Sequence, residues 1–240
     1  MNKESNIYTI TYASVMVILV AFLLAFTSQA LQKRQQQNEA IDKMRQILRA
    51  INVDVAKAQV ESEYRRLITD SFVIDANGNI IEGDAFEIDL ADELAKPEAE
   101  RRFPVFIATI DGEQKYILAM RGSGLWGPIW GYISLNDDRN TVFGADFGHS
   151  GETPGLGAQI SVPAFSREFV GKRINNQDGE FVSIAIVRPG NSVVGQDYVD
   201  GISGGTITSQ GVNEMLQTGI GAYSKFLTLT PESPKGDFGE

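Results

Sequence analysis

The sequence predicts an α+β domain behind a single N-terminal transmembrane helix. Three observations carry that expectation: a charge-free apolar run at the start, short apolar segments separated by turn dipeptides, and a helix-periodic run near the end. The body is expected to combine an antiparallel sheet with helices. Its 240 residues suffice to bury a core without staples, and with no Cys in the chain none are formed. The absence of Cys also removes thiolate zinc sites and iron–sulfur clusters, and one His makes an imidazole metal site a poor reading. No metal site is expected.

The net charge is −10 and unevenly placed. Residues 1–50 hold six Lys or Arg against three acids, so that +3 there leaves −13 for the remaining 190 residues. So acidic a body argues against nucleic acid, whose phosphates require basic patches.

Ile7 to Phe26 forms twenty consecutive positions without a charge. At the rise of an α-helix they span about 30 Å, one bilayer core. Tyr8 and Tyr12 lie toward one end, where amphipathic rings favour the interface. A cleaved signal peptide, with Lys3 before the run and Ser28-Gln29-Ala30 as cleavage triplet, is disfavoured because the run exceeds the usual h-region. Lys33 and Arg34 follow the span, and by the positive-inside count they place the body in the cytoplasm.

From Asn38, apolar residues at Ile41, Met44, Ile47, Leu48 and Ile51, then Val53, Ala56, Val60, Tyr64, Leu67 and Ile68, predict two amphipathic helices meeting near Asn52-Val53-Asp54. Strands are expected from Ser71. Phe72–Asp75 and Ile80–Ile81 flank Asn77-Gly78, and Phe103–Ile110 and Lys115–Met120 flank Asp111-Gly112, both hairpin signals. Val182–Val187 reads as a further strand and Gln210–Leu227 as the terminal helix. The expected division is an anchor over 1–34, a helical connector over 35–70, the soluble domain over 71–230 and a flexible polar tail over 231–240.

Three stretches carry chemistry. Gly122-Ser-Gly124-Leu125-Trp126-Gly127 formally matches G-x-G-x-x-G, but Pro128–Ile133 after it is strand-like rather than helical. A Rossmann dinucleotide site is therefore rejected. The stretch reads as a glycine turn carrying Trp126 and Trp130, aromatics that pack in the core or border a flat ring, the core being their commoner place. His149-Ser-Gly-Glu152-Thr153-Pro-Gly155-Leu156-Gly157 is the second. A hydrolase triad of His149, Glu152 and Ser150 is rejected, because no G-x-S-x-G elbow is present. A turn at Thr153-Pro154-Gly155 and ligand contact by Glu152 and Thr153 are the two readings left. The third is Asp200-Gly201-Ile202-Ser203-Gly204-Gly205-Thr206-Ile207-Thr208-Ser209, glycines and hydroxyls before a helix. That layout suits either a phosphate seat at a helix N-terminus or a plain helix cap by Thr208 or Ser209.

The single span, the Glu152–Gly157 loop and the Asp200–Thr206 stretch, in that order, resemble the family of C subunits of the bacterial sodium-translocating NADH:quinone oxidoreductases. The resemblance covers essentially the whole chain. Its specific part is similar to the flavinylation motif of the covalent FMN-binding domain family, Asp-Gly-x-Ser/Thr-Gly-Ala-Thr, with Gly205 standing where that motif has Ala. The resemblance implies an FMN-binding domain in which the phosphoryl group of FMN is esterified to Thr206, which makes the chain a phosphoprotein. It further implies that Ser203, Gly204, Gly205, Ile207 and Thr208 surround the phosphate. Glu152, Thr153, Gly155 and Leu156 would lie near the flavin, as would Leu125, Trp126 and Gly127. Asp200 and Ser203 would be recognised by a flavin transferase that takes FMN from FAD.

The family implies an electron-transfer subunit without catalytic residues of its own, working with other membrane subunits and lipid, its soluble domain periplasmic. That placement overrides the basic-residue count, since a long domain after one span weakens the charge rule. A related flavoprotein subunit, from the complex linking ferredoxin and nicotinamide, is the runner-up; the Glu-Thr-Pro-Gly-Leu-Gly and Gly-Leu-Trp-Gly-Pro runs favour the quinone reductase. A cofactor-free membrane-tethered assembly module is the rival from another class.

Overall fold

A computed structural model describes residues 6–228. The expected tail over 231–240 and the flank around Lys3 lie outside the described residues. Helix α1 (Asn6–Ala50) runs without a break from the apolar run into the amphipathic segment. It is the one helix among the described residues long and apolar enough to cross a membrane. Two compact units follow from the contacts, Met1–Lys43 and Met44–Glu240.

Within the second unit the last turns of α1 bury Ile47, Leu48 and Ala50. The helix ends where Asn52 turns left-handed at φ 61°, with the N–H groups of Ile51 and Val53 both donating to Leu48 O. The second helix of the expected pair starts later than Asn52–Asp54. A short 3-10 turn (Lys57–Gln59) leads into α2 (Val60–Leu67), and Ile68 already belongs to strand β1 (Ile68–Asp75). The β-branched Ile68 pairs with Ala108, so sheet pairing starts three residues before Ser71.

The sheet has six antiparallel strands in the order β2-β1-β3-β4-β5-β6. Its members after β1 are β2 (Ile80–Ile81), β3 (Arg102–Ile110), β4 (Glu113–Ser123), β5 (Pro128–Leu135) and β6 (Val142–His149). Asp111 and Gly112, at φ 53° and 85°, make the two-residue turn that their dipeptide predicts between β3 and β4. Strand β6 escapes sequence reading because Gly144 and Gly148 interrupt its apolar pattern. Both are required by contact: a Cβ on Gly144 would lie 2.5 Å from Ala50 O, and one on Gly148 would lie 2.5 Å from Trp130 Nε1.

One face of the sheet carries Val105, Ile107, Leu118, Met120, Ile129 and Ile133, and it packs with Val212, Met215, Leu216 and Ile220 of α5 (Thr206–Ala222). The same core takes in Phe147, Phe165 and Phe169, whose rings meet at 5.0–5.5 Å. Phe165 comes from α4 (Pro163–Arg167), a short helix that sequence periodicity does not mark; nor does it mark α3 (Leu90–Leu94). The Ser134 hydroxyl donates to Ala50 O at 2.5 Å, and Trp130 Nε1 donates to Gln46 Oε1 at 2.9 Å, tying the sheet to the end of α1. Trp130 is thus half-buried and Trp126 exposed, so neither takes the core place that is the commoner of the two expected for them. A cover on each face explains why the central strands read as continuous apolar runs.

The strand expected over Val182–Val187 is shorter and lies outside this sheet. Ser183 is buried at φ 64° with its hydroxyl unpartnered, which breaks the extended backbone. Only β7 (Ala185–Val187) remains, paired in parallel with β8 (Tyr198–Asp200). The terminal helix begins at Thr206 rather than Gln210, and it breaks at Tyr223 before α6 (Ser224–Thr228). Tyr223 is fully buried and its hydroxyl donates to Ala119 O at 2.9 Å, which holds the helix end on β4.

Asp146 on β6 stands 4.0 Å from Arg49 in a nearly buried position. Burial pushes its carboxyl up to about 6, with Asp54 adding to the rise and Arg49 and Arg45 opposing it. A carboxyl raised in the folded state stabilises the fold while it stays protonated. That contribution is complete below the unfolded value near pH 4 and is lost as pH rises through about 6. Asp146→Asn is therefore expected to match wild type in thermal unfolding at pH 4 and to exceed it at pH 7.5, by at most about 2–3 kcal/mol. Unfolding curves across that range check it.

Candidate functional site

Helix α5 lies on β4 with almost no side-chain spacing at its N-terminal half. A Cβ on Gly211 would overlap Ser123 O, and one on Gly122 would lie 2.8 Å from Met215 Cβ. The first turn of the helix is thereby brought to the end of β4, beside the turn that carries Leu125 and Trp126. In that turn Gly124 N donates to Gly127 O at 2.8 Å, and Leu125 and Trp126 are 48% and 67% exposed.

The Asp200–Thr206 stretch runs from the end of β8 into α5. Gly201 N donates to Val187 O at 2.7 Å, and Gly205 N donates to Ile202 O at 2.9 Å around Gly204, whose φ of 74° needs glycine. Neither Thr208 nor Ser209 caps the helix. Gly205 is the N-cap and makes no side-chain bond. The Ser209 hydroxyl instead accepts from Ile202 N at 2.9 Å, bracing the loop from within the helix.

Thr206 occupies the first helical position, exposed, with its hydroxyl at the end where the N–H groups of Thr206, Ile207 and Thr208 have no intrahelical acceptor. An anion fits there: donors and the positive dipole end converge, and Thr206 is exposed to solvent. Ile207 and Leu156 beside it are half-exposed. A Cβ on Gly204 would lie 2.8 Å from Leu156 Cδ2, so Leu156 rests against the loop.

The loop after β6 supplies the joint. Thr153 O accepts from Leu156 N and Ala158 N, and Gly155 turns at φ 77° in open space, as the turn reading expects. Glu152 points inward and is 4% exposed. Its Oε1 accepts from Trp126 N at 2.8 Å, and its Oε2 accepts the Thr208 hydroxyl proton at 2.6 Å. Its own N–H donates to His149 Nδ1 at 3.2 Å, a loop contact rather than a catalytic relay. Two glycines make the room: a Cβ on Gly124 would lie 2.5 Å from Glu152 Oε1, and one on Gly157 would overlap both Glu152 Oε2 and Thr208 Oγ1.

Of the residues singled out from sequence, Leu125, Trp126, Glu152, Leu156, Gly204, Gly205, Thr206, Ile207 and Thr208 thus gather around one end of α5. Asp200 and Ser203 face a neighbouring groove of about 350 Å³ that they line with Gly155, Val162, Phe165 and Ile202. Gly124, Gly157 and Ser209, which the sequence reading quotes within the three stretches but does not assign to the site, are parts of it. The glycines of the Glu152 loop hint at close approach, but nothing local says to which atoms.

A family model for the FMN-binding domain matches residues 124–221, from the β4–β5 turn through α5. The C subunit of the Na(+)-translocating NADH-quinone reductase of Haemophilus ducreyi is 30% identical, over 92% of this chain and 94% of that protein. The chain belongs to the family of C subunits of these reductases. The corresponding protein of Pseudomonas aeruginosa is 29% identical over 92% of this chain and 93% of its own length. The crystal structure of the C subunit from Parabacteroides distasonis matches with a TM-score of 0.79 at 55% identity, over 84% of this chain and 98% of that one. The Shewanella oneidensis NqrC structure, at 22% identity and a TM-score of 0.68, shares the fold over 79% of this chain and 97% of its own. The family expected from three sequence features and the α+β fold behind one apolar helix are both borne out.

The clearances rank three glycine substitutions. Gly157→Ala should cost about 1–3 kcal/mol by driving a methyl into two bonded oxygens. Gly155→Ala should cost about 1–2 kcal/mol through its backbone alone. Gly205→Ala, whose Cβ would sit 3.2–3.3 Å from Ile202 and Gly157 at φ −110°, should stay within about 1 kcal/mol of wild type. Denaturant titrations of the three variants give the order.

Proposed function

We propose that this chain carries FMN esterified through its phosphoryl group to the hydroxyl oxygen of Thr206 and relays electrons between other subunits of a respiratory membrane complex. The coarser statement, a flavoprotein subunit of the sodium-translocating NADH:quinone reductase, follows from membership of the family and the FMN-binding match. The single observation supporting the finer one is the exposed Thr206 at the donor-rich end of α5, closing a stretch that resembles the flavinylation motif at every position but Gly205.

Attachment requires FAD as donor. The Thr206 oxygen bonds to the FMN phosphorus, the pyrophosphate bond breaks, AMP leaves, and the hydroxyl proton goes to solvent. A flavin transferase would recognise Asp200 and Ser203, both on the exposed approach to Thr206. Once bound, the isoalloxazine supplies the redox chemistry. The chain's own residues do the rest: the first N–H groups of α5 compensate the phosphate charge, and Leu125, Trp126, Leu156 and Ile207 offer apolar surface beside it. A phosphoester also keeps the cofactor from dissociating at an exposed subunit boundary.

The apolar half of α1 holds no ionisable side chain from Ile7 to Phe26 other than the phenols of Tyr8 and Tyr12, so it anchors and offers no ion-conducting group. The soluble unit is read as periplasmic, with the apolar helix as single-pass anchor in the inner membrane and lipid as its surroundings.

Thr206→Ala, produced in the native host, is expected to fold as wild type does and to yield a denatured polypeptide free of flavin. Wild type should fluoresce under ultraviolet light in a denaturing gel and gain the mass of one FMN less water. A mutant band as bright as wild type would overturn the assignment. An unmodified wild-type mass from that host would favour the cofactor-free module.

A further inference from the structure

Three segments distant in sequence meet on the Glu152 carboxylate: the β4–β5 turn through Trp126 N, the loop after β6 that bears Glu152 itself, and the first turn of α5 through Thr208 Oγ1. The group is 4% exposed, and no Lys or Arg among the described residues lies within ion-pair distance of it. Its charge is met by a backbone N–H, a hydroxyl and the positive end of the α5 dipole. A buried carboxylate without a cation is a poor means of adding stability, because desolvation opposes it; its use is to hold one arrangement in place of others. Gly124 and Gly157 are glycine at the two positions where any side chain would strike these oxygens.

We propose that Glu152 is a positioning residue, which locks the Trp126 turn to the helical turn bearing Thr206 and so sets how a flavin tethered there lies against Trp126. The inference rests on the attachment reading above. Thr208 sits two residues beyond Thr206 in the same turn, so the carboxylate reaches the attachment point through one rigid piece of helix. On the other side it grips Trp126 by its backbone, and the mostly exposed indole is left to face the tethered ring. Breaking the bridge frees that turn while leaving the Thr206 hydroxyl in place.

The test compares Glu152→Ala, Glu152→Gln and Thr208→Val in the full chain, in two forms. In unmodified protein, made in a host without the transferase, amide exchange at Trp126 should be at least tenfold faster in Glu152→Ala than in wild type. It should return close to wild type in Glu152→Gln, whose amide oxygen still accepts from that N–H and whose NH₂ donates to Thr208 Oγ1. In flavinylated protein from the native host, Glu152→Ala and Thr208→Val should lose at least half of the visible circular dichroism of the flavin. Their flavin emission should rise at least twofold as Trp126 ceases to quench it, and Glu152→Gln should restore both signals.

Flavinylated Glu152→Ala and Thr208→Val with wild-type dichroism and emission would overturn the proposal while leaving the attachment intact. A wild-type chain that releases all flavin on denaturation would overturn the attachment reading and this proposal with it. Should Glu152→Ala fail to fold, the near-isosteric Thr208→Val decides alone, because Trp126 N still holds its carboxylate.

Discussion

The contact on which the site depends is the approach of α5 to β4 at Gly211 and Ser123, where backbone meets backbone. A helix normally stands off a sheet by the thickness of two layers of side chains. Here the absent side chain at Gly211 lets the N-terminal half of the helix sink to the strand end, with Met215 seated over Gly122. Farther along, Val212, Leu216 and Ile220 bury against the sheet, and Tyr223 fastens the far end to Ala119. Position and tilt of the helix are thereby set along its length, and the first turn, with Thr206 on it, arrives beside the Trp126 turn.

Two nearly buried carboxylates show how differently the same group is handled. Glu152 has its oxygens satisfied by donors at 2.6 and 2.8 Å at the end of a helix. Asp146, on the sheet face that meets the end of α1, has Arg49 only at 4.0 Å and a competing Asp54, and desolvation raises its pKa, making it a weaker acid. At Asp146 a cation as distant as Arg49 does not offset the desolvation of the ionised form. The first arrangement holds loops in register at a site. The second lies where α1 leaves the sheet, and there it weakens the ionised domain rather than organising it.

Sheet hairpins were legible where turn chemistry is local. Asp111-Gly112 named its turn because only residues tolerant of left-handed backbone close that two-residue link. Strand β6 was not legible, since Gly144 and Gly148 answer to Ala50 and Trp130 across the fold rather than to a neighbour in sequence. The start of α5 was misplaced for a related reason. Hydroxyls at Thr208 and Ser209 look like caps, but tertiary partners, Glu152 and the Ile202 amide, claim them instead. Strand β7 lost its first residues to Ser183, whose left-handed backbone no propensity foretells.

From sequence alone came the apolar helix, the α+β class and the family, because hydrophobic periodicity, turn dipeptides and a contiguous motif are all properties of neighbours along the chain. Tertiary structure decided which atoms meet: that Trp126 stays exposed, that Glu152 turns inward to join two loops, and that Gly124 and Gly157 are glycine to leave room for its oxygens. Such contacts join positions 26 and 56 residues apart. No local pattern encodes them, since they exist only once α5 has settled onto β4.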